Sequence, residues 1–377
     1  MPRGSPAAEA TCVRVEGERP YEVWIGRGLL REAGTRLRAV GGTPRALIVT
    51  VPPVARHWQE PLRASLAAAG VDAAWHVVPD GEESKSLEQL AGIYQAALTA
   101  RLDRESWIVA LGGGVVGDLA GFAAATFLRG VRFLQVPTTL LAQVDASVGG
   151  KTGVNLPAGK NLVGAFHWPS LVLADLDTLS TLPEGEFRAG FAEAVKHGLL
   201  SDENDYGFIR RAAPRLLRRE PAALQRLVAD SVRIKAAVVG RDPREAGERR
   251  RLNLGHTVGH AIEAAAGYGR WRHGEAVAAG LAAEGALALA VGTGWTAERQ
   301  RELLELLETL SLPTQLRGLR ADELLERMRY DKKAIAGELR WMLPAAPGRI
   351  VEVTGVPRDV VRRVLVELGA EEGEDGR

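Results

Sequence analysis

Cysteine is almost missing from this chain. Cys12 stands alone among 377 residues, so no intrachain disulfide can form and a cytoplasmic setting is the expectation. No apolar run reaches about 18 uninterrupted residues, which argues against a membrane span. The first residues lack a basic segment followed by an apolar run, so no signal peptide is expected. An excess of charge is missing too. Lys and Arg total 48 against 47 Asp and Glu, and the net +1 argues against nucleic acid or an anionic membrane as the main partner. Lysine itself is scarce. The 48 basic residues include only Lys85, Lys151, Lys160, Lys196, Lys235, Lys332 and Lys333, and asparagine is confined to Asn155, Asn161, Asn204 and Asn253. Where arginine has taken the generic surface positions, a surviving lysine suggests a site that needs a compact ammonium.

What is present is a soluble globular composition, 46% hydrophobic and 25% charged, on a chain long enough for two domains. Up to about residue 176, short apolar runs alternate with helical patterns: strands at 12–16, 21–25, 46–51, 74–78, 107–111 and 131–136, helices at 29–40, 56–69, 87–100 and 119–127. Such alternation predicts an α/β fold with a doubly wound parallel sheet. Beyond Asp177 nearly every segment reads as helix, including 184–200, 206–213, 214–219, 222–239, 256–266 and 275–291, with a short β-like return at 340–343 and 349–354. The expectation is an N-terminal nucleotide-binding domain over 1–178 and a mainly α-helical metal- and substrate-binding domain over 179–377, the boundary falling near Leu176–Leu182.

Four stretches carry chemistry. Gly112-Gly-Gly-Val-Val-Gly117-Asp118 follows an apolar strand and enters a helix, the spacing that brings phosphate onto backbone amides. The following strand ends Gln135-Val136-Pro137 without an acid, so a nucleotide in a non-standard arrangement is expected, with a tight structural turn as the alternative. Pro137-Thr138-Thr139 and the run Asp145 to Asn155, continued by Lys160 and Asn161, read as polar loops at a sheet edge, suited to an anionic, hydroxyl-rich ligand. Glu193, Lys196 and His197 share one helical face in apolar surroundings, where a buried carboxylate needs a partner or a metal. Finally, Leu252 to Glu275 holds three of the seven histidines. His256 and His260 are one helical turn apart, a spacing that presents imidazoles to a divalent metal or merely lines a core.

Taken together, Gly112–Asp118, Pro137–Asn161, Ala192–Gly198, Arg249–Glu263 and His273–Glu275 resemble the 3-dehydroquinate synthase family, in order, from about Val13 to Leu368. The resemblance implies a cytoplasmic homodimer that uses NAD and a divalent metal, zinc or cobalt. Its reaction turns 3-deoxy-D-arabino-heptulosonate 7-phosphate into 3-dehydroquinate and phosphate, a step of the shikimate pathway. The resemblance makes Glu193, His256 and His273 the metal ligands and moves His260 to the substrate side, whereas spacing alone nominates the pair His256 and His260. It assigns the cofactor to Asp80, Gly81, Glu82, Glu83, Ser84 and Lys85, to Gly114, Val115, Val116, Gly117 and Asp118, and to Thr138 and Thr139. Lys151, Lys160, Thr178, Leu179, Ser180 and Thr181 complete that set. The phosphorylated sugar acid falls to Asp145, Lys151, Asn161, Lys196, Lys235, Arg249, Asn253, His260 and Lys333 or its neighbour Lys332, with Arg129 reaching into a partner subunit.

The chain departs from the family pattern twice. His197 stands where an aromatic residue is usual, and Val51 follows the strand threonine where an Asp or Asn would meet the adenosine ribose. Three other readings compete. Another sugar-phosphate cyclase, such as a 2-epi-5-epi-valiolone synthase, would lack the substrate carboxylate. A metal-dependent polyol dehydrogenase would not need so many cations for an anionic substrate. A nucleotide-binding paralogue that has lost activity would have no reason to keep Glu193, His256, His273 and every lysine.

Overall fold

The computed structural model describes residues 9–267, 270–329 and 339–372. The chain forms two compact units, Met1–Pro183 with Pro221–Arg244, and Glu184–Glu220 with Glu245–Arg377. It thus leaves the first unit after residue 183 and returns to it for a single helix.

Among its described residues the first unit carries nine strands: β1 (Thr11–Val15), β2 (Tyr21–Gly26), β3 (Arg45–Thr50), β4 (Asp72–Val77), β5 (Trp107–Gly112), β6 (Arg132–Pro137), β7 (Lys151–Leu156), β8 (Gly159–Phe166) and β9 (Leu171–Asp175). Helices α1 (Ala33–Val40), α2 (Pro52–Ala68), α3 (Leu87–Thr99) and α4 (Gly114–Thr126) lie between them. Seven strands form one sheet in the order β1-β2-β9-β6-β5-β3-β4, parallel throughout except for β1 on β2. Alternation along the strands divides the core. Ile108 and Ala110 pack on one face with Leu90, Ile93 and Leu119, while Trp107, Val109 and Leu111 pack on the other with Leu37, Leu62 and Leu66. A sheet buried on both faces accounts for the near-continuous apolar strands.

Chain order reverses between β3 and β5: β4 lies outside β3, and β5, β6 and β9 run the other way. That reversal is the topological switch point, where open α/β sheets bind ligands beyond their carboxyl ends. The glycine stretch after β5 therefore sits at the switch although β5 is not the first strand of the sheet.

Residues 151–175 differ from a plain polar loop. β7 and β8 pair as an antiparallel hairpin, and Leu171–Asp175, an apolar run with no helical period, enters the main sheet as β9 between β2 and β6. The glycine stretch is also more ordered than a loop, since Gly114–Asp118 already form the first turn of α4.

The second unit begins with α5 (Glu184–Ser201) and α6 (Glu203–Leu217), a single helix that runs through Pro214. Next in sequence, α7 (Pro221–Arg241) belongs to the first unit. The second unit resumes with α8 (His256–Ala266), α9 (His273–Val291), α10 (Ala297–Thr309), α11 (Ala321–Arg329), the hairpin β10 (Trp341–Ala346) and β11 (Arg349–Val353), and α12 (Arg358–Glu367). By length and composition α9 could cross a membrane, but 72% of its apolar window is buried inside the protein. It also carries the buried acid Glu284. A core helix reads the same way.

Small residues let these helices approach closely. A Cβ at Gly274 would lie 1.9 Å from the Ala189 carbonyl oxygen of α5, and one at Gly280 would lie 2.0 Å from the Gly255 carbonyl oxygen at the start of α8. Three helices bearing Glu193, His256 and His273 are thereby packed backbone to backbone.

Candidate active site

In the first unit the parallel sheet collects the nominated segments along its carboxyl edge. Asp80 to Lys85 follow β4, Gly114 to Asp118 follow β5, Thr138 and Thr139 follow β6, and Thr178 to Thr181 lie in the short helical turn after β9. The amide of Thr138 donates to Gly112 O at 2.9 Å, fixing the edge next to the glycine turn. Around that turn the glycines have different tasks. A Cβ at Gly112 would come within 2.6 Å of the Val116 side chain, whereas at Gly114 the nearest atom, Ala146 Cβ, lies at an ordinary 3.5 Å. Gly112 serves packing; Gly114 leaves the helix N-terminus open to an approaching anion.

Lys85 is almost fully buried and donates to Asp118 Oδ2 at 2.7 Å and to Asn161 Oδ1 at 2.6 Å. It joins the loop after β4, the first turn of α4 and the β7–β8 hairpin. Asn161 holds a left-handed backbone, φ 54°, which asparagine tolerates better than most residues, and its amide donates to Asn155 Oδ1. Asn155 in turn donates to Glu82 Oε1 at 2.8 Å. Lys235 on α7 pairs with Asp145, its ammonium 2.9 Å from Oδ1 and 2.7 Å from the backbone oxygen. Lys151 opens β7 and Lys160 lies on β8. The side chains of Thr50 and Thr138, at the ends of β3 and β6, are buried with hydroxyls that find no protein partner. Arg129 is exposed just beyond α4, where Leu128 and Arg129 both take positive φ, 50° and 68°.

The second unit gathers a different set. The carboxyl, ring and ring donors of Glu193, His256 and His273 all lie within 4.8 Å of one another. Glu193 Oε1 is 3.4 Å from Nε2 of each histidine. That is too long for strong hydrogen bonds, and both Glu193 oxygens are buried without a hydrogen-bond partner. The Lys196 ammonium makes an ion pair with Oε2. Burial works to raise the Glu193 pKa, but Lys196 and the two histidines hold it well below the usual carboxylate range. Burial, reinforced by Lys196, pushes His256 down to about 3. Burial opposes charge on His273 as well, yet Glu193 and Glu263 outweigh it and push that ring up to about 10.

The far ring nitrogens are engaged. His256 Nδ1 lies 3.1 Å from Leu254 O, which can only accept, so Nδ1 carries the proton and Nε2 faces the cluster with its lone pair. His273 Nδ1 lies 3.1 Å from Glu263 Oε2. Two imidazoles oriented through their outer nitrogens, with the buried Glu193 carboxylate between them, fit a divalent cation. Three donors would leave a coordination position open on a bound cation. The His260 ring packs beside both, its centroid 5.3 Å from that of His256 and 6.3 Å from that of His273, but its nitrogens are not among the converging donors. Arg249 is buried in the turn before α8, and Asn253 Nδ2 lies 3.4 Å from Glu245 Oε1. Lys332 and Lys333 lie outside the described residues.

Two acids escaped the reading of the sequence. Glu263 sat in a quoted motif without a role, although its place seven residues after His256, on the same helical face, was a usable signal. Glu284 lies in an Ala-, Gly- and Leu-rich helix that reads as pure core, and no local pattern marks it.

Comparison with known proteins identifies the arrangement. Residues 75–189 match the family model described as 3-dehydroquinate synthase N-terminal, and residues 190–334 the one described as 3-dehydroquinate synthase C-terminal. A 3-dehydroquinate synthase of Symbiobacterium thermophilum is 51% identical over 354 residues, 93% of this chain and 99% of that one. That of Gloeobacter violaceus is 49% identical over 349 residues, 92% of this chain and 96% of that one. Among solved structures, the 2-epi-5-epi-valiolone synthase of Streptomyces hygroscopicus subsp. jinggangensis, with NAD+ and Zn2+ bound, aligns with a TM-score of 0.84 at 28% identity, covering 97% of this chain and 99% of that one. A 2-deoxy-scyllo-inosose synthase aligns with a TM-score of 0.83 at 24% identity, covering 95% of this chain and 100% of that one, and shares the fold. With both family models matched in sequence order and relatives near half identity over almost the full length, the chain belongs to the 3-dehydroquinate synthase family.

Proposed function

We propose that Glu193, His256 and His273 hold the divalent metal of this enzyme and that the carboxyl edge of the seven-stranded sheet holds NAD. The activity is that of the family, conversion of 3-deoxy-D-arabino-heptulosonate 7-phosphate to 3-dehydroquinate and phosphate, a carbon–oxygen lyase reaction of the shikimate pathway. The observation that carries the metal assignment is the buried Glu193 carboxylate, central to two oriented imidazoles whose donors converge with its own. The related valiolone synthase carries Zn2+ and the inosose synthase Co2+, both with NAD+, and either ion suits a set of two nitrogens and one oxygen.

Held by Glu193, His256 and His273, a divalent metal would supply acidification of a ring hydroxyl, and NAD at the sheet edge would supply reversible hydride transfer at that carbon. The chain's own groups position and neutralise. Lys196 balances Glu193 and stands ready to hold a substrate oxygen, with Asn253 and His260 placed for the proton transfers around it. Arg249, Lys235, Lys151 and Lys333 read the carboxylate and the phosphate, and Asp145 and Asn161 orient them. Gly114 to Asp118, the first turn of α4, receive the cofactor pyrophosphate at the helix N-terminus. Phosphate leaves, the ring opens and closes, and the protein's share is orientation and electrostatics. We place the enzyme in the cytoplasm as a homodimer, with Arg129 completing the partner's site.

The test is phosphate release from the heptulosonate 7-phosphate with NAD and zinc supplied. Absence of release, or equal turnover of sedoheptulose 7-phosphate, which lacks the carboxylate, overturns the substrate assignment. Arg129→Ala is expected to abolish turnover and leave NAD affinity unchanged; loss of NAD binding instead would remove its cross-subunit role.

A further inference from the structure

The two histidines of the metal cluster are held by different means. His273 is oriented directly by the Glu263 carboxylate. His256 has only a backbone oxygen, Leu254 O, behind its Nδ1. That oxygen belongs to the Leu254–Gly255 peptide group, whose other end, the Gly255 N–H, donates to Glu284 Oε2 at 2.6 Å. In a trans peptide the N–H and C=O point in opposite directions, so a bond at one end lines up with a bond at the other. Glu284, the Leu254–Gly255 peptide and the His256 ring thus form one hydrogen-bonded line ending on the metal-facing Nε2.

The rest of the geometry supports the line. Glu284 is fully buried, and its other oxygen accepts from Thr257 N at 3.1 Å and Val258 N at 3.4 Å. Helix α8 begins at His256 after Gly255, which is left-handed (φ 80°) and has no side chain to cap with, so Glu284 on α9 serves as the cap from outside. Close approach is possible because Gly280, one turn before Glu284, lies against Gly255: a Cβ there would be 2.0 Å from the Gly255 oxygen. Glu284 lies eleven residues along α9 from His273, roughly 16 Å of helix rise, so it acts on the site only through His256.

We infer that Glu284 is a positioning residue for the metal site, a carboxylate that fixes and polarises His256 through the intervening peptide as Glu263 does for His273 by direct contact. An anionic acceptor on the peptide N–H strengthens the carbonyl as an acceptor, and so makes the imidazole a better donor to a cation. The inference rests on the metal assignment proposed above.

The experiment measures Co2+ affinity by competition with a chelator, together with the visible spectrum of the Co2+ form, in the full chain and in Glu284→Gln, Glu284→Ala and His256→Ala. In either rotamer the glutamine removes the anionic end of the line while keeping its volume. The expected result is an affinity about tenfold or more below that of the unsubstituted chain for both Glu284 variants, with a shifted Co2+ spectrum and unchanged NAD binding. A Glu284→Gln protein that binds Co2+ with the original affinity and spectrum overturns the inference, and this holds even if Glu284→Ala does not fold. Should His256→Ala also keep full Co2+ affinity, the metal assignment itself fails, which separates the two ideas.

Discussion

The unit proposed to hold the nucleotide and the unit proposed to hold the metal, the nucleotide half and the metal half, engage buried charge differently. In the first unit, Lys85 is matched by Asp118 and Asn161, and Lys235 by Asp145. These groups already have protein partners, so a ligand binding through them must displace or share an existing ion pair. In the second unit, Glu193 is paired with Lys196 but also lies 3.4 Å from Nε2 of two histidines, so one buried carboxylate is shared among three basic groups. That half gathers one carboxylate and two imidazoles, a donor set of the kind that holds a cation. The lesson is that a buried ion pair says little by itself about what it binds, whereas a buried carboxylate shared with two oriented imidazoles points to a cation.

The largest expected effect comes from removing the centre of the metal half. Glu193→Ala should abolish zinc binding and lower phosphate release about a thousandfold or more, the several kcal/mol that a metal contributes to charge stabilisation. It should also destabilise the unit by about 3–5 kcal/mol, because Lys196 is left buried without its partner. Denaturant melts and zinc content read both outcomes, and a zinc-replete, active variant would erase the contrast between the halves.

Metal addition is the next test. Zinc at a hundredfold excess over its Kd should stabilise the protein by about 2.7 kcal/mol, since only the folded cluster offers the three ligands together. A thermal melt should lose that shift in His273→Ala. If the shift survives, the ion binds elsewhere.

For the nucleotide half, Lys85→Met should reduce stability by about 1–3 kcal/mol, as a partly buried acceptor on Asp118 loses its donor. NAD affinity should fall with it. Unchanged NAD binding in a folded variant would make Lys85 a purely structural tie between the loop after β4, α4 and the hairpin.

The smallest effects separate the two glycines. Gly114→Ala should change stability by less than about 1 kcal/mol, or raise it, because alanine favours helix and meets only ordinary contacts. It should nevertheless weaken NAD binding measurably by calorimetry. Gly112→Ala should instead cost about 1–3 kcal/mol through its clash with Val116. Equal behaviour of the two variants would remove the distinction between packing and ligand approach.

Much of this was legible in the sequence wherever the signal is local. The strand-and-helix alternation before residue 176 gives the doubly wound sheet, and the apolar run before Gly112 marks β5 as a core strand. Glu193 and Lys196, three apart on α5, do form an ion pair. The β7–β8 hairpin was not legible, because its glycines and polar residues describe a loop equally well and only antiparallel pairing distinguishes the two. Nor was the return of α7 to the first unit, since an amphipathic helix shows that it is buried on one face but not against what.

The stretch from Leu252 to Glu275 shows where the division falls. Residue order alone puts His256 and His260 one turn apart, opens a helix at His256 after a glycine, and starts another at His273. Which nitrogens converge was decided by tertiary packing: α5, α8 and α9 meet at glycines that let Glu193, His256 and His273 bring their donors together without His260. Glu284, twenty-eight residues beyond His256 in an apolar helix, takes its part only because that packing brings a carboxylate onto the bare N-terminus of α8. Helical spacing is a property of neighbours along the chain, while ligand geometry and buried hydrogen bonding depend on which distant backbones are small enough to touch.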